Sequence, residues 1–239
     1  MKTVTDYVNM QQNYYDTTAH IMNSTGNHRR HDGNPDYKNI LLARINTNPE
    51  IFQDENGLDF GCGQGRNVSN LLNFYPGLFN RVDGIDISKK NTDYANNNLQ
   101  KEFNDSSKYT FYVNDGKTLA GLKSDEYKFV MSTIVFQHIA VHEIRFSLMS
   151  DIFRVLKTGG VFSFQMGFGG VLTTDTPVAS YYENAYHATG TNSAHDVEII
   201  DPQNLVSDLE KIGFSNITYK ISAPDYDRHK FWIYVEAFK

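Results

Sequence analysis

The chain has 239 residues, of which 22 are Lys or Arg and 28 Asp or Glu, for a net charge of −6, with a 40% hydrophobic and 21% charged composition. That composition supports a substantial core and excludes global disorder, and the acidic balance argues against broad adhesion to nucleic acid or anionic membrane. One cysteine, Cys62, excludes an intrachain disulfide and a cysteine-based zinc site.

The first residues carry no signal-peptide core, and no stretch approaches the roughly 20 apolar residues of a membrane span. The expectation is a soluble, cytoplasmic protein. Residues 1–47 read as a helical cap, with Asn34-Pro35 opening a helix through Ile45. His28, Arg29, Arg30 and His31 form the one local basic cluster, read as solvated surface.

From residue 56 the pattern alternates strand and helix. Gly57–Phe60 is a strand, Asn67–Phe74 a helix with Val68, Leu71 and Leu72 on one face, and Arg81–Ile87 a strand. Ser88 is placed to N-cap a helix reaching about Phe103. Tyr109–Val113 and Tyr127–Met131 are further strands. His142–Leu156 is an amphipathic helix presenting Ile144, Leu148, Ile152 and Val155, with the glycines of Lys157-Thr158-Gly159-Gly160 as its C-cap. Val161–Phe168 is an apolar strand of the kind found inside a sheet. Residues 169–200, rich in Tyr, His, Thr and Asn, have weak periodicity and are long for a structureless connection, which reads as a functional or a disordered segment. Asp201-Pro202 opens a helix to about Ile212. Phe214–Ser222 and Lys230–Phe238 form an edge hairpin across a turn containing Pro224, Asp225 and Asp227.

Strand–helix alternation implies a parallel sheet covered on both faces, with ligands beyond the carboxyl ends of its strands. At the first such end stands Leu58-Asp59-Phe60-Gly61-Cys62-Gly63-Gln64-Gly65. A dinucleotide fingerprint wants a small residue three positions after its second glycine, and Arg66 stands there. Asp59 opposes a pyrophosphate and suits a ligand bearing an ammonium group. Asp86, in Gly84-Ile85-Asp86-Ile87-Ser88, ends the second strand where a carboxylate can accept ribose hydroxyls. Asn114-Asp115-Gly116 follows the third strand, where an acid can meet an adenine amine, though the same triplet is ordinary turn chemistry.

These motifs, together with Arg154-Val155-Leu156-Lys157-Thr158-Gly159-Gly160 and Lys211-Ile212-Gly213-Phe214, resemble the successive motifs of class I S-adenosylmethionine-dependent methyltransferases of the type 11, small-molecule group. Thr158 stands where proline is usual. The resemblance covers residues 56–168 specifically and 201–239 more loosely. It implies an α/β Rossmann-like, doubly wound seven-stranded sheet in the order 3-2-1-4-5-7-6 with the last strand antiparallel. The chain would be one domain: a helical cap (1–47), a donor-binding core (48–168), an acceptor-side insertion (169–200), and a C-terminal helix with a β-hairpin (201–239).

By that resemblance Asp59, Gly61, Cys62 and Gly63 meet the methionine end of S-adenosylmethionine. Asp86 and Ile87 meet the ribose, and Asn114, Asp115 and Gly116 the adenine. Ser132 and Thr133 border the methyl donor, and Arg66 can pair with the methionine carboxylate. His138 faces the acceptor side as the candidate base, alongside a packing reading. His187 and His195 lie eight positions apart without a ligand signature, so no metal is expected. Tyr14 and Tyr15 could close over the donor. The expected reaction is O- or N-methylation of a small molecule, leaving S-adenosylhomocysteine. The rival readings are a nicotinamide-dependent oxidoreductase, a nucleic-acid methyltransferase, disfavoured by Ser132-Thr133-Ile134-Val135 after the fourth strand, and a non-catalytic binding subunit.

Overall fold

A computed structural model of the chain describes residues 2–24, 37–171, 179–187, 197–222 and 229–239. The basic cluster, Asn34-Pro35, His195 and the hairpin turn lie outside the described residues. The strands of the main sheet are β1 (Asn56–Phe60), β2 (Arg81–Asp86), β3 (Phe111–Val113), β4 (Tyr127–Ser132), β5 (Leu156–Val171), β8 (Ser215–Ser222) and β9 (His229–Phe238). They lie in the order β3-β2-β1-β4-β5-β9-β8. Counted among themselves in chain order, that is 3-2-1-4-5-7-6. The strands β1 to β5 pair in parallel, and β9 runs antiparallel between β5 and β8. Two short strands, β6 (Ala179–Ser180) and β7 (Val197–Glu198), form a separate parallel pair in the insertion.

Helices cover both faces, because strands buried on two sides must find apolar partners on each. On one face α5 (His142–Val155) seats Ile144, Leu148, Ile152 and Val155 against Leu58, Val130, Phe162 and Phe164, with Leu205 and Leu209 of α6 (Pro202–Ile212). On the other, α3 (Arg66–Phe74) and α4 (Lys89–Glu102) place Val68, Leu71 and Leu99 with Phe129 and Met131. The segment before β1, a single wide π-helical turn Tyr37–Leu41 and α2 (Ala43–Thr47), completes that face with Tyr37, Leu41, Leu42 and Ile45.

Local chemistry sets the helix ends. The Ser88 hydroxyl accepts the Asn91 N–H at 3.1 Å, so α4 begins at the cap that its sequence proposes. Asp201 accepts the Gln203 N–H at 2.9 Å ahead of Pro202, and Gly213, at φ 117°, closes α6.

One boundary differs from its sequence expectation. Helix α5 ends at Val155, not at the glycines, and Leu156 already pairs with Tyr127 of β4. The next registered pair is Phe129 with Val161, so Lys157–Gly160 bulges out of β5. Gly159 takes φ +66° within that bulge and donates its N–H to the Lys239 carbonyl at 2.7 Å. The left-handed glycine thus serves a strand bulge rather than a helix cap.

Candidate active site

Strand order reverses at β1, whose neighbours are β2 and β4. The crevice beyond the carboxyl ends of those strands is where an open α/β sheet binds its ligands. Asp59, one residue from the end of β1, is fully buried. Its Oδ1 accepts a hydrogen bond from Asn67 Nδ2 at 3.2 Å, and its Oδ2 is buried with no hydrogen-bond partner. Burial pushes its carboxyl up to about 7, with Asn67 and Arg66 pulling down and Asp86 pushing further up.

The glycine loop then turns through positive φ at Gly61 (+72°), Gly63 (+50°) and Gly65 (+85°). Two of these positions decide something. A Cβ on Gly61 would stand 2.2 Å from a methyl of Val135, so the loop after β4 can press against the loop after β1 only because Gly61 has none. A Cβ on Gly63 would meet nothing within 4 Å, so the backbone there faces open space that a ligand can occupy. Cys62 is buried, and its thiol lies where a side chain on Gly84 would stand, so it packs the loop onto β2. Burial pushes that thiol well above its ordinary range.

Asp86 ends β2 and points back at the same loop. Its Oδ2 accepts the Gly63 N–H at 2.9 Å and its Oδ1 the Ser88 N–H at 2.8 Å. Burial raises its carboxyl, against those two backbone donors. At the end of β3, Asn114 Oδ1 accepts the Gly116 N–H at 2.8 Å, and Asp115 Oδ1 accepts from Lys117 and Thr118 at 2.9 and 2.6 Å. Burial acts upward on Asp115, but those turn hydrogen bonds outweigh it and hold the carboxyl below its ordinary value. Ile87 and Val8 both close on Gly116, whose φ is +74°.

The loop after β4 completes the crevice. The Ser132 hydroxyl is buried and donates to the Phe60 carbonyl at 2.9 Å, which ties β4 to β1. Thr133 Oγ1 accepts from Asn67 Nδ2 at 3.0 Å. Ile134 sits at φ 58°, a left-handed conformation that costs a β-branched residue dearly and that accumulates at functional turns. His138 follows on a half-buried turn.

Sequence reasoning had singled out Asp59, Cys62, Gly63, Asp86 and Thr133, and the structure gathers them around one loop. The sequence also marked residues 1–47 as a helical cap with Tyr14 and Tyr15 placed to close over the donor, but not the contacts that anchor it. The helix α1 (Val4–Ser24) runs over the ends of the first four strands. Its Ala19 carbonyl accepts from Gln64 at 2.7 Å, its Asp16 accepts from the Ser88 hydroxyl at 2.6 Å, and Val8 reaches Gly116. The buried Tyr7 hydroxyl accepts the Ala140 N–H at 2.8 Å and the Gln11 amide at 2.9 Å, and donates to the His138 carbonyl at 3.3 Å. Tyr14 and Tyr15 stack edge-on on the same helix and are half-buried.

The insertion attaches to the same stretch from the other side. Ala185 donates to the Ala140 carbonyl at 3.1 Å, and Arg145, buried in α5, holds the carbonyls of Ile139 and Tyr181 together. Burial brings that guanidinium down to about 10, while Tyr181, Tyr7 and Asp208 act upward. Among the described residues no group of three or more His, Cys, Asp or Glu could hold a metal ion, and no helix is long and apolar enough to cross a membrane.

Residues 58–164 match the family model described as "Methyltransferase domain". Solved structures share the fold at low identity. A phosphoethanolamine N-methyltransferase 2 from Haemonchus contortus, crystallised with S-adenosyl-L-methionine, is 18% identical with a TM-score of 0.60, over 83% of this chain and 52% of that one. The chain therefore spans about half the length of that enzyme. A SAM-dependent methyltransferase from Methanosarcina mazei is 18% identical with a TM-score of 0.59, over 80% and 95% of the two chains. Another, from Aquifex aeolicus, is 14% identical with a TM-score of 0.56, over 88% and 96%. Comparison with curated proteins gave no match. Residues 58–164 thus resemble a methyltransferase domain, and the sheet has the Rossmann-like fold that those solved structures share.

Proposed function

We propose that this protein binds S-adenosylmethionine at the carboxyl ends of β1 to β3 and methylates a small-molecule acceptor on oxygen or nitrogen. The observation that carries the donor reading is the buried Asp59 carboxylate, with Oδ2 unpartnered, beside the open backbone of Gly63. A buried anion offering a free oxygen fits an ammonium group and repels a pyrophosphate, which separates this donor from a dinucleotide.

In this reading Asp59 holds the ammonium group, Gly61 and Gly63 lend backbone, and Asp86 accepts the ribose hydroxyls. Asp115 and Asn114 frame the adenine, and Arg66 meets the methionine carboxylate. The bound sulfonium supplies an activated methyl group and a neutral thioether leaving group. The chain then has to hold the acceptor in line and keep water out. Helix α1 and residues 179–187, both fastened to residues 138–141, suit that task, and the wall they make favours a small acceptor over a polymer. For a hydroxyl acceptor His138 stands on the side where a base would act; for an amine that is already neutral, positioning is enough.

Calorimetry tests the donor: S-adenosylmethionine and S-adenosylhomocysteine bind, and NAD at the same concentration does not. Binding of NAD without S-adenosylhomocysteine overturns the reading. Labelled methyl donor incubated with the protein and a metabolite extract then identifies the acceptor.

A further inference from the structure

We propose that Tyr37 is a positioning residue of the donor site: through Asn67 it fixes the Asp59 carboxylate with Oδ1 engaged and Oδ2 offered to the donor's ammonium group. This rests on the donor reading above, and extends it to a residue outside both the motifs and the matched segment.

The connection is a continuous chain of hydrogen bonds. The Tyr37 hydroxyl donates to Asn67 Oδ1 at 3.1 Å. The other end of the same amide, Nδ2, donates to Asp59 Oδ1 at 3.2 Å and to Thr133 Oγ1 at 3.0 Å. The direction of the chain is fixed by chemistry. Asp59 and Thr133 claim both protons of the amide nitrogen, so its oxygen must face Tyr37 and needs a donor there. The phenol supplies it. Without that hydroxyl the amide oxygen is buried and unsatisfied. It can regain a partner only by turning, which would release Asp59 Oδ1.

None of this is averaged by solvent. Tyr37 is 1% exposed, Asn67 3%, Thr133 5% and Asp59 0%. Tyr37 is also held rigidly, since it opens the turn Tyr37–Leu41 whose Leu41, with Leu42 and Ile45 behind it, packs in the core on that face of the sheet. A buried network is expected to satisfy its terminal group. This one ends on a carboxylate oxygen without a partner, at the crevice, against the glycine loop. The sequence gives one hint of it. Asn67 and Asn70 lie three residues apart in α3 and are buried alongside Val68 and Leu71, on a face where apolar residues are the rule.

Two probes separate positioning from mere support. S-adenosylhomocysteine carries the amino-acid end of the donor, whereas 5′-methylthioadenosine keeps the nucleoside thioether and lacks both ammonium and carboxylate. Calorimetry on the full chain with Tyr37→Phe is expected to show S-adenosylhomocysteine bound about tenfold more weakly, or about 1.4 kcal/mol, with 5′-methylthioadenosine unchanged. Asn67→Ser, whose short hydroxyl cannot span Tyr37 and Asp59, gives the same split and serves if Tyr37→Phe does not fold. Equal weakening of both probes, or of neither, overturns the proposal while leaving the donor reading standing. A wild-type protein that binds neither probe overturns both.

Discussion

At the scale of the residue, Asp59 would make the proposed donor binding a proton-linked event. Its carboxyl rises to about 7, chiefly by burial. The groups facing it are Arg66 from α3, Asp86 from β2, and the Tyr37 and Cys62 side chains. An unfolded aspartate titrates near 4. Between about pH 4 and 7 the folded chain therefore holds a proton that the unfolded chain has released. The free protein loses stability as pH rises through that window, and the loss is complete above 7. An ammonium group at Oδ2 favours the ionised form, so S-adenosylhomocysteine should bind up to about tenfold more tightly per pH unit up to 7, then level off. Below 7, calorimetry in buffers of different ionisation enthalpy should show about one proton released per molecule bound. An affinity flat from pH 5.5 to 8 would remove Asp59 from the ammonium site. The gathering of Asp59, Gly63 and Asp86 around one loop was legible in the sequence because each lies at a strand end or in the loop beside it. Tyr37 and Tyr7 were not, since their partners Asn67 and His138 are 30 and 131 positions away, and no local pattern marks a long-range hydrogen bond.

At the scale of the element, α1 is held by few but specific contacts, and Tyr7 is the most connected of them. Burial raises its phenol to about 12, so the hydroxyl keeps its proton and can go on donating to His138. Tyr7→Phe leaves the Ala140 N–H and the Gln11 amide short of an acceptor in a buried place. Such a loss costs about 1–3 kcal/mol. For a chain of this size that lowers the unfolding midpoint by roughly 2–12 °C. Thermal unfolding followed by circular dichroism measures it, and a shift under about 1 °C would show that α1 does not depend on this anchor. Helices α4, α5 and α6 were readable from periodicity and caps, because Ser88, Asp201-Pro202 and Gly213 act on their immediate neighbours. The end of α5 was misread for a related reason. A glycine after a helix is usually its cap, and only the pairing of Leu156 with Tyr127, set by the whole sheet, makes it a bulge instead.

At the scale of the whole molecule, the sheet order was legible because strand–helix alternation leaves few right-handed arrangements, and the motif resemblance selects among them. Residues 179–187, expected as part of an acceptor-side insertion, gain their place from Arg145 and Ala140 rather than from any periodicity of their own, so the sequence marked the segment but not its attachment. Donor binding to the folded chain alone should stabilise all of it. At a hundred times the dissociation constant the gain is about 2.7 kcal/mol, or roughly 5–11 °C in the unfolding midpoint. Thermal scans with and without S-adenosylhomocysteine check this, and an unchanged midpoint at saturating ligand would contradict specific binding.

The course of α1 across the ends of β1 to β4 has a consequence for time rather than energy. Ala19, Asp16, Val8 and Tyr7 fasten it above four successive strands, directly over the loops that would enclose the donor. On the proposed donor reading, a ligand held beneath it would enter and leave as the helix lifts. Opening is unimolecular, so the observed association rate of S-adenosylhomocysteine, followed by stopped-flow intrinsic fluorescence, should climb with concentration and then reach a plateau. Tyr7→Phe should raise that plateau. A rate still linear at the highest concentration would show an entry that α1 does not guard.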